Sequence, residues 1–509
     1  MPETLSKIKT LAQLSPILRR LREQGKRVVH CHGVFDLMHL GHIRHFQQAK
    51  KLGDVLVVTL TQDRWVNRGP GRPVFTQEHR AEAIAALNCV NYVAVNDAPL
   101  AVGAIQALRP HFYVKGPDYK DAGKDLTGGI RREREAVEAV GGKLVITDDL
   151  TFSSSSLINR HLGGLPPKTM DFLARFHKRH PLDEVLGYLR GASKLRFLFV
   201  GEAIIDEYRY CVAIGKSSKE PMLAIKHLET ERFAGGIVAA ANNAASILKQ
   251  ADVVTLLGDR ESHEAFFRDR CCDNVRLHCL PKTDSPTIVK RRYIDRYFFT
   301  KLLAIYEMND TPLIVPDDRR LCALLRRLVP QYDGVVVLDF GHGMLSDEAI
   351  EILCSKAKFL AVNTQSNAGN LGYHTASRYR RADFLCMAEN EFRLEERDLH
   401  ADIRDIVRAV AKKLHCPSAI LTGGKFGCLT YSARHGYTEV PAVAHEVVDR
   451  MGAGDTFFAA TAPCVAQGAP MDVVGFIGNV AGAEAVATVG HRTFLQRTPL
   501  FKHIETLLK

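Results

Sequence analysis

The chain has 509 residues, 46% of them hydrophobic and 25% charged, enough for two or three buried cores. No apolar run approaches the roughly 20 residues of a membrane span, and the first 21 residues lack a signal-peptide core, so a cytoplasmic protein with no membrane partner is expected. The formal net charge of +11 suits polyphosphate ligands, and because the basic residues form no long cluster interleaved with aromatics, no nucleic-acid partner is expected.

Residues 5–24 read as an amphipathic N-terminal extension. Residues 27–31 are apolar and β-branched, which predicts a buried strand, and Ile43, Phe46, Ala49 and Leu52 recur at helical spacing just after it. Between them, Gly33-Val34-Phe35-Asp36-Leu37-Met38-His39-Leu40-Gly41-His42 places two histidines three residues apart where a strand hands over to a helix. The unpaired N–H groups of a first helical turn and the helix dipole favour an anion there. Imidazoles at i and i+3 share one side of that turn and can donate to the same phosphate oxygens. Gly33 and Gly41 let the backbone approach a nucleotide, and Asp36 is an acceptor near the turn. Taken alone, the two histidines could equally be surface groups at an ordinary turn.

Short apolar strands follow at residues 55–60, 92–95, 112–114 and 144–147, with helical stretches between them. That alternation predicts a parallel sheet flanked by helices, with ligands at the strand C-terminal ends. Arg131-Arg132-Glu133-Arg134-Glu135 mixes signs and reads as a solvated helix face. Residues 163–168 form a Gly/Pro breaker, and residues 170–192 have helical spacing interrupted at Pro181, which predicts a packed helical connector. The strand and helix alternation returns at residues 197–201, 253–257, 335–338, 360–362 and 419–421. Near the end, Asp449-Arg450-Met451-Gly452-Ala453-Gly454-Asp455 combines a small-residue turn with a helix start. Consecutive N–H groups of Gly452, Ala453 and Gly454 form an anion nest, and Asp455 is placed to take a proton from an attacking hydroxyl. The bland reading of the same residues is a tight turn with a helix cap. The 12 cysteines show no metal spacing and read as buried thiols, the vicinal Cys271 and Cys272 included.

From about residue 26 to 161 the chain resembles the nucleotidyltransferase superfamily of cytidylyltransferases and sugar-phosphate adenylyltransferases. The resemblance rests on Gly33, Phe35 and Asp36 followed by His39, Gly41 and His42. Asp63, the Arg68-Gly69-Pro70-Gly71-Arg72-Pro73 loop and Arg80 also carry it, as do Val114-Lys115-Gly116-Pro117-Asp118-Tyr119 and the closing Ser154-Ser155-Ser156-Leu157-Ile158. It implies that His39, His42 and Lys115 are catalytic. It gives Gly33, Phe35, Asp36, Gly41, Arg80, Ser154, Ser155 and Ser156 to the nucleotide and Asp118 to the substrate. The implied reaction is attack of a sugar-phosphate oxygen on the α-phosphorus of a nucleoside triphosphate, with pyrophosphate leaving and Mg2+ bridging phosphate oxygens.

From about residue 195 onward the chain resembles the ribokinase-like sugar kinases, the phosphofructokinase B family. The carrying residues are the strand ending Val200-Gly201-Glu202 with Asp206 after it, Gly235-Gly236, Thr422-Gly423-Gly424-Lys425-Phe426-Gly427, and Asp449 with Gly452, Ala453, Gly454 and Asp455. This implies Asp455 as catalytic base and Asp206, Gly235, Gly236 and Asn243 as sugar contacts. ATP goes to Thr422, Gly424, Gly427 and the residue 452–454 amides, and Glu391 goes to the metal. Residues 293–306 match the small β-lid of that family, while Phe298 and Phe299 read first as core. The chain departs from the family pattern at Ala239, at Asn363-Thr364-Gln365, and at Ala388-Glu389-Asn390-Glu391, where only the glutamate is kept. Those departures leave two readings: a different sugar substrate, or a slow or structural domain.

Both resemblances together match the bifunctional heptose-7-phosphate kinase and heptose-1-phosphate adenylyltransferase family in reversed domain order. The expected fold class is α/β, with an N-terminal Rossmann-like nucleotidyltransferase domain and a C-terminal ribokinase-like domain with a small β-lid. The expected boundaries are 1–25 for the extension, 26–163 for the transferase, 164–193 for the linker and 194–509 for the kinase. The implied substrates are a sugar phosphate and ATP or another nucleoside triphosphate, the implied product an ADP-heptose-like sugar, and the implied assembly a homodimer. The alternative is a CTP-dependent cytidylyltransferase whose kinase-like domain only binds and oligomerises.

Overall fold

Val28–Gly33 forms β1, the middle strand of a five-stranded sheet, flanked by β2 (Val55–Thr61) and β3 (Tyr92–Asn96) on one side and by β4 (Phe112–Lys115) and β5 (Lys143–Ile146) on the other. All four pairings are parallel and the order is β3-β2-β1-β4-β5. The period of two along β1 sends Val29 and Cys31 into an apolar layer with Phe46, Leu56, Val58 and Ile84. The other face receives His30 and His32, where Thr59 Oγ1 lies 2.7 Å from His30 Nε2 and 2.8 Å from His32 Nδ1. The computed structural model describes residues 3–117, 128–147 and 165–509. The chain divides into two units, residues 1–166 with 498–509, and residues 167–497.

The N-terminal extension is part of the first unit's core. Its helix Leu11–Glu23 starts at a capping box of Thr10 and Gln13, worth about 1 kcal/mol. The helix buries Leu14 and Leu18 against Val28, Val57 and Leu108, at roughly 1.5–3 kcal/mol per buried leucine. The last helix, Arg497–Leu507, closes the chain with residues grouped in this first unit. Gly69 shows what that helix demands: its φ is +93°, and a Cβ there would come within 2.6 Å of the His503 ring.

The second unit begins with two helices, Pro167–Arg179 and Leu182–Ala192, separated at Pro181. Phe176 of the first packs on Phe476 with ring centroids 4.7 Å apart. The strands that follow are β6 (Arg196–Gly201), β7 (Ala203–Lys216), β8 (Leu223–Gly236), β9 (Gln250–Arg260), β10 (Leu277–Pro286), β11 (Ile288–Asp295) and β12 (Lys301–Glu307). They continue with β13 (Gly334–Asp339), β14 (Leu360–Thr364), β15 (Phe384–Ala388), β16 (Ser418–Thr422), β17 (Cys428–Ser432) and β18 (Gly436–Val440). A nine-stranded sheet runs β10-β9-β6-β13-β14-β15-β16-β17-β18, parallel except for the hairpins that add β17 and β18. A four-stranded lid runs β12-β11-β7-β8. The lid strands grow out of the main sheet, since β7 follows β6 and β11 follows β10 with one residue between each pair.

In the turn before β12, the expectation of core aromatics is corrected: Phe298 is 83% exposed, while Phe299 packs toward Tyr208 and Tyr210. Among the described residues, no helix is long and apolar enough to cross a membrane.

Candidate active sites

In the first unit, residues 34–39 lead from the end of β1 to the helix Leu40–Lys50, and His39 is its N-cap. His39 Nδ1 accepts the Gly41 N–H at 3.1 Å, so in the neutral ring the proton sits on Nε2. The His39 and His42 rings stack with centroids 3.9 Å apart and planes 20° apart, and Phe35 stands edge-on to His42 at 5.3 Å. Phe35 holds a left-handed backbone, φ 52°, and its ring covers Gly33, where a Cβ would lie 2.8 Å from Cζ. Burial and then the neighbouring His39, His45 and Arg68 push His42 down to about 3. A neutral imidazole pair beside a helix N-terminus is a site that an anion would charge.

Two residues expected at the nucleotide do other work. Arg80 is 1% exposed: its Nε donates to Phe75 O at 3.0 Å, Nη2 to Thr61 O at 2.8 Å and to Asp63 Oδ1 at 2.5 Å, and Nη1 to Val34 O. With its guanidinium engaged on three sides it ties strand ends together. Asp36 Oδ1 accepts the N–H groups of Val74 and Phe75 at 2.7 and 3.1 Å, and its other oxygen faces Arg72 at 3.5 Å, so it fixes the loop after the second strand.

Lys115, at the end of β4, is paired with Glu133 at 3.0 Å, both side chains nearly fully buried. Glu133 also accepts the Ala101 N–H at 2.9 Å. The solvated-face reading of residues 131–135 is therefore corrected at Glu133, which is 3% exposed. The signal was present, since Glu133 lies three and four residues from Ile130, Ala136 and Val137, on the apolar side of the helix Gly129–Ala139. Asp118, Ser154, Ser155 and Ser156 lie outside the described residues.

In the second unit, Gly452 caps the helix Ala453–Ala466 with φ 73°, and a Cβ there would collide with His491 at 2.2 Å. Asp455 sits in the first turn beyond this Gly452, Ala453 and Gly454 nest. Burial raises its carboxyl, opposed by the His491 charge and by Gln365, whose Nε2 donates to Oδ1 at 2.6 Å. Asp449 is structural: its carboxylate accepts from Tyr208 Oη at 2.6 Å, Lys301 Nζ at 2.7 Å and the Gly490 N–H at 3.0 Å.

Asp206 pairs in register with Lys290 across β7 and β11 and is bound by the Arg292 guanidinium. Gly235 leaves room for it, because a Cβ there would lie 2.0 Å from Asp206 Oδ2. Gly236 follows at φ 57°. His491 Nε2 is 3.8 Å from the same Asp206 oxygen.

Asn243, expected at the sugar, donates its amide to Thr456 Oγ1 at 3.0 Å and accepts the Leu495 N–H at 2.8 Å, so it pins two segments together. Glu391 accepts the N–H groups of Ser366 and Ala388 at 3.0 and 2.7 Å, and burial with the Asp455 charge pushes it up to about 7. Thr422 ends β16. The loop after it is closed by Gly423 N–H to Gly427 O at 2.7 Å, with Gly424 at φ 56° and Gly427 at φ 92°. Lys290, Arg292 and His491 were missed in the sequence and Gln365 was noted there only as a departure from the family pattern; the pairing of β7 with β11 brings Lys290 to Asp206, and the tertiary fold brings His491 and Gln365 to the two aspartates.

Parallel sheets with a helix starting at their strand ends, one such start being a glycine-rich anion nest before a buried aspartate, define an α/β phosphotransfer protein. A family model described as pfkB family carbohydrate kinase matches residues 194–498, and one described as cytidylyltransferase-like matches residues 30–161. The chain belongs to the pfkB family of carbohydrate kinases. The bifunctional protein HldE of Syntrophotalea carbinolica is 40% identical over 143 residues, which are 27% of this chain and 29% of that protein. The bifunctional protein HldE of Geobacter sulfurreducens is 42% identical over 141 residues, 27% of each. The chain thus matches less than a third of the length of these curated relatives. Phosphofructokinase-2 from Escherichia coli, in complex with potassium, superposes with a TM-score of 0.50 at 14% identity, over 62% of this chain and 100% of that one, a likeness of fold.

Proposed function

We propose that the chain is a two-site enzyme that phosphorylates a sugar phosphate and transfers a nucleotidyl group to a sugar 1-phosphate, yielding an ADP-heptose-like sugar. The observation that carries this reading is the presence in one chain of the stacked His39 and His42 pair at one helix start and of Asp455 behind a glycine nest at another.

In the second unit, Asp455 takes the proton of a sugar hydroxyl as that oxygen attacks the γ-phosphorus, and ADP leaves. The residue 452–454 amides face the charge that develops on the transferring group. Lys290 and Arg292, buried at the Asp206 side, supply positive charge suited to a sugar already carrying a phosphate. In the first unit, a phosphate oxygen attacks the α-phosphorus, and the two imidazoles donate to phosphate oxygens as pyrophosphate leaves. Such a nucleophile is already ionised, so no general base is required.

Magnesium suits the kinase site, because Glu391, raised by burial and by Asp455, is an under-neutralised carboxylate that a divalent cation relieves. Glu391 would hold it, and it would supply charge neutralisation of the phosphate oxygens. The cytoplasm, where nucleoside triphosphates and reduced thiols are kept, is the compartment this reading requires. The reading is tested by assaying the purified chain with magnesium, a nucleoside triphosphate and a panel of sugar phosphates. The expected result is ADP release with one sugar phosphate, abolished in Asp455→Asn, and pyrophosphate release that this variant keeps.

A further inference from the structure

His342 follows β13 in Gly341-His342-Gly343 and is 2% exposed, yet neither ring nitrogen has a hydrogen-bond partner among the described residues. Leaving a buried polar group unpaired costs about 1–3 kcal/mol, so an orphaned imidazole in an otherwise satisfied wall calls for a partner that arrives from elsewhere. His342 lines a small cavity of about 20 Å³ with Glu202, Lys282, Thr287 and Asn309. The other polar groups of that wall are engaged. Glu202 accepts the N–H groups of Phe340 and His342 at 3.1 and 3.0 Å. Lys282 Nζ donates to the carbonyls of Asn309, Thr311 and His342 at 2.5, 2.8 and 3.4 Å. Thr287 Oγ1 accepts the Gly258 N–H and donates to Ser262 O. Asn309 accepts the Thr311 N–H and donates to Ser285 Oγ. The imidazole alone is left with a donor and an acceptor, and the space beside it fits one water-sized group.

The segment that carries His342 approaches Lys290 on the sugar side of the site. Lys290 Nζ lies 5.8 Å from the centroid of the Phe340 ring, two residues before His342, and Lys290 is the register partner of Asp206. Burial and the Lys290 ammonium push His342 down to about 4, which keeps the ring neutral.

We propose that His342 determines sugar specificity in the kinase unit by taking one hydroxyl group of the sugar phosphate into this cavity. The proposal rests on the kinase reading. A hydroxyl accepts from one nitrogen of a neutral imidazole or donates to the other, whereas an analogue lacking it leaves the ring unpaired and is rejected.

The test is titration calorimetry of wild type, His342→Phe and His342→Asn with heptose 7-phosphate, sedoheptulose 7-phosphate, fructose 6-phosphate and, separately, ATP, beside an ADP-release assay. The expected result is that His342→Phe binds the preferred sugar phosphate roughly tenfold more weakly, about the effect of one hydrogen bond, with ATP affinity and melting temperature kept. His342→Asn, which retains a donor and an acceptor, recovers most of the loss. Unchanged sugar affinity in His342→Phe, or joint loss of ATP and sugar affinity with a lowered melting temperature, overturns the proposal in favour of a buried water or a structural role. Sugar binding by wild type without ADP release overturns the kinase reading and leaves the affinity comparison to decide on His342. Wild type that binds no sugar phosphate overturns both.

Discussion

Gln365 stands where the sequence leaves its family's pattern, and its amide holds the carboxylate on which the kinase reading depends. A hydrogen bond to a charged group is worth about 1.5–3 kcal/mol, so Gln365→Leu is expected to slow the kinase roughly ten- to a hundredfold at neutral pH. The same bond favours the ionised form of Asp455 against the burial that raises it. Removing it moves the acid limb of the pH–rate profile upward, so the deficit deepens as pH falls through that limb. An acid limb that stays where the wild type has it would show that Gln365 acts on something other than the ionisation of Asp455.

At the scale of elements, the lid strand β12 is exposed along most of its length. Leu303 and Ile305, two residues apart on one face, are 48% and 47% exposed. Adjacent apolar side chains on an outer strand mark a pairing surface. The expected homodimer would use it, and Leu303→Glu with Ile305→Glu should halve the mass measured by light scattering while the melting temperature holds. A wild type that is monomeric at micromolar concentration would remove this reading.

The strands themselves were legible. The apolar runs at residues 55–60, 92–95, 335–338 and 360–362 are strands in the sheets, because buried parallel strands need continuous hydrophobic stretches. The turns with chemistry were legible too, since a strand, small residues and a helix start occur within a few positions of one another. The engagement of Arg80, Asp36 and Asn243 was not. Arg80 and Asp36 are the right residue types in the right motif and Asn243 lies beyond its family's asparagine position; only the fold shows the carbonyls, N–H groups and hydroxyl that each already engages. The grouping of residues 498–509 with the first unit was also hidden, as no local pattern in a short amphipathic helix names the surface it packs on.

For the whole molecule, the first unit carries an acid sensitivity written into its histidines. Burial holds His30 well below its ordinary 6.5, His32 and His42 near 3, and His45 near 4. Below pH 6.5 the unfolded chain binds more protons than the folded one, so stability is fully present above 6.5 and is lost as pH falls toward 3. Scanning calorimetry should show the melting temperature of the first unit falling steadily between pH 6.5 and 4. A flat profile there would mean that these rings are hydrated and titrate normally.

If one chain holds two phosphotransfer sites, pyrophosphate and nucleoside diphosphate release recorded from the same reactions will separate by mutation. His42→Ala is expected to lose pyrophosphate release and keep diphosphate release, and Asp455→Asn to do the reverse. Loss of both products in either variant, or pyrophosphate release that survives in His42→Ala, would contradict the two-site reading.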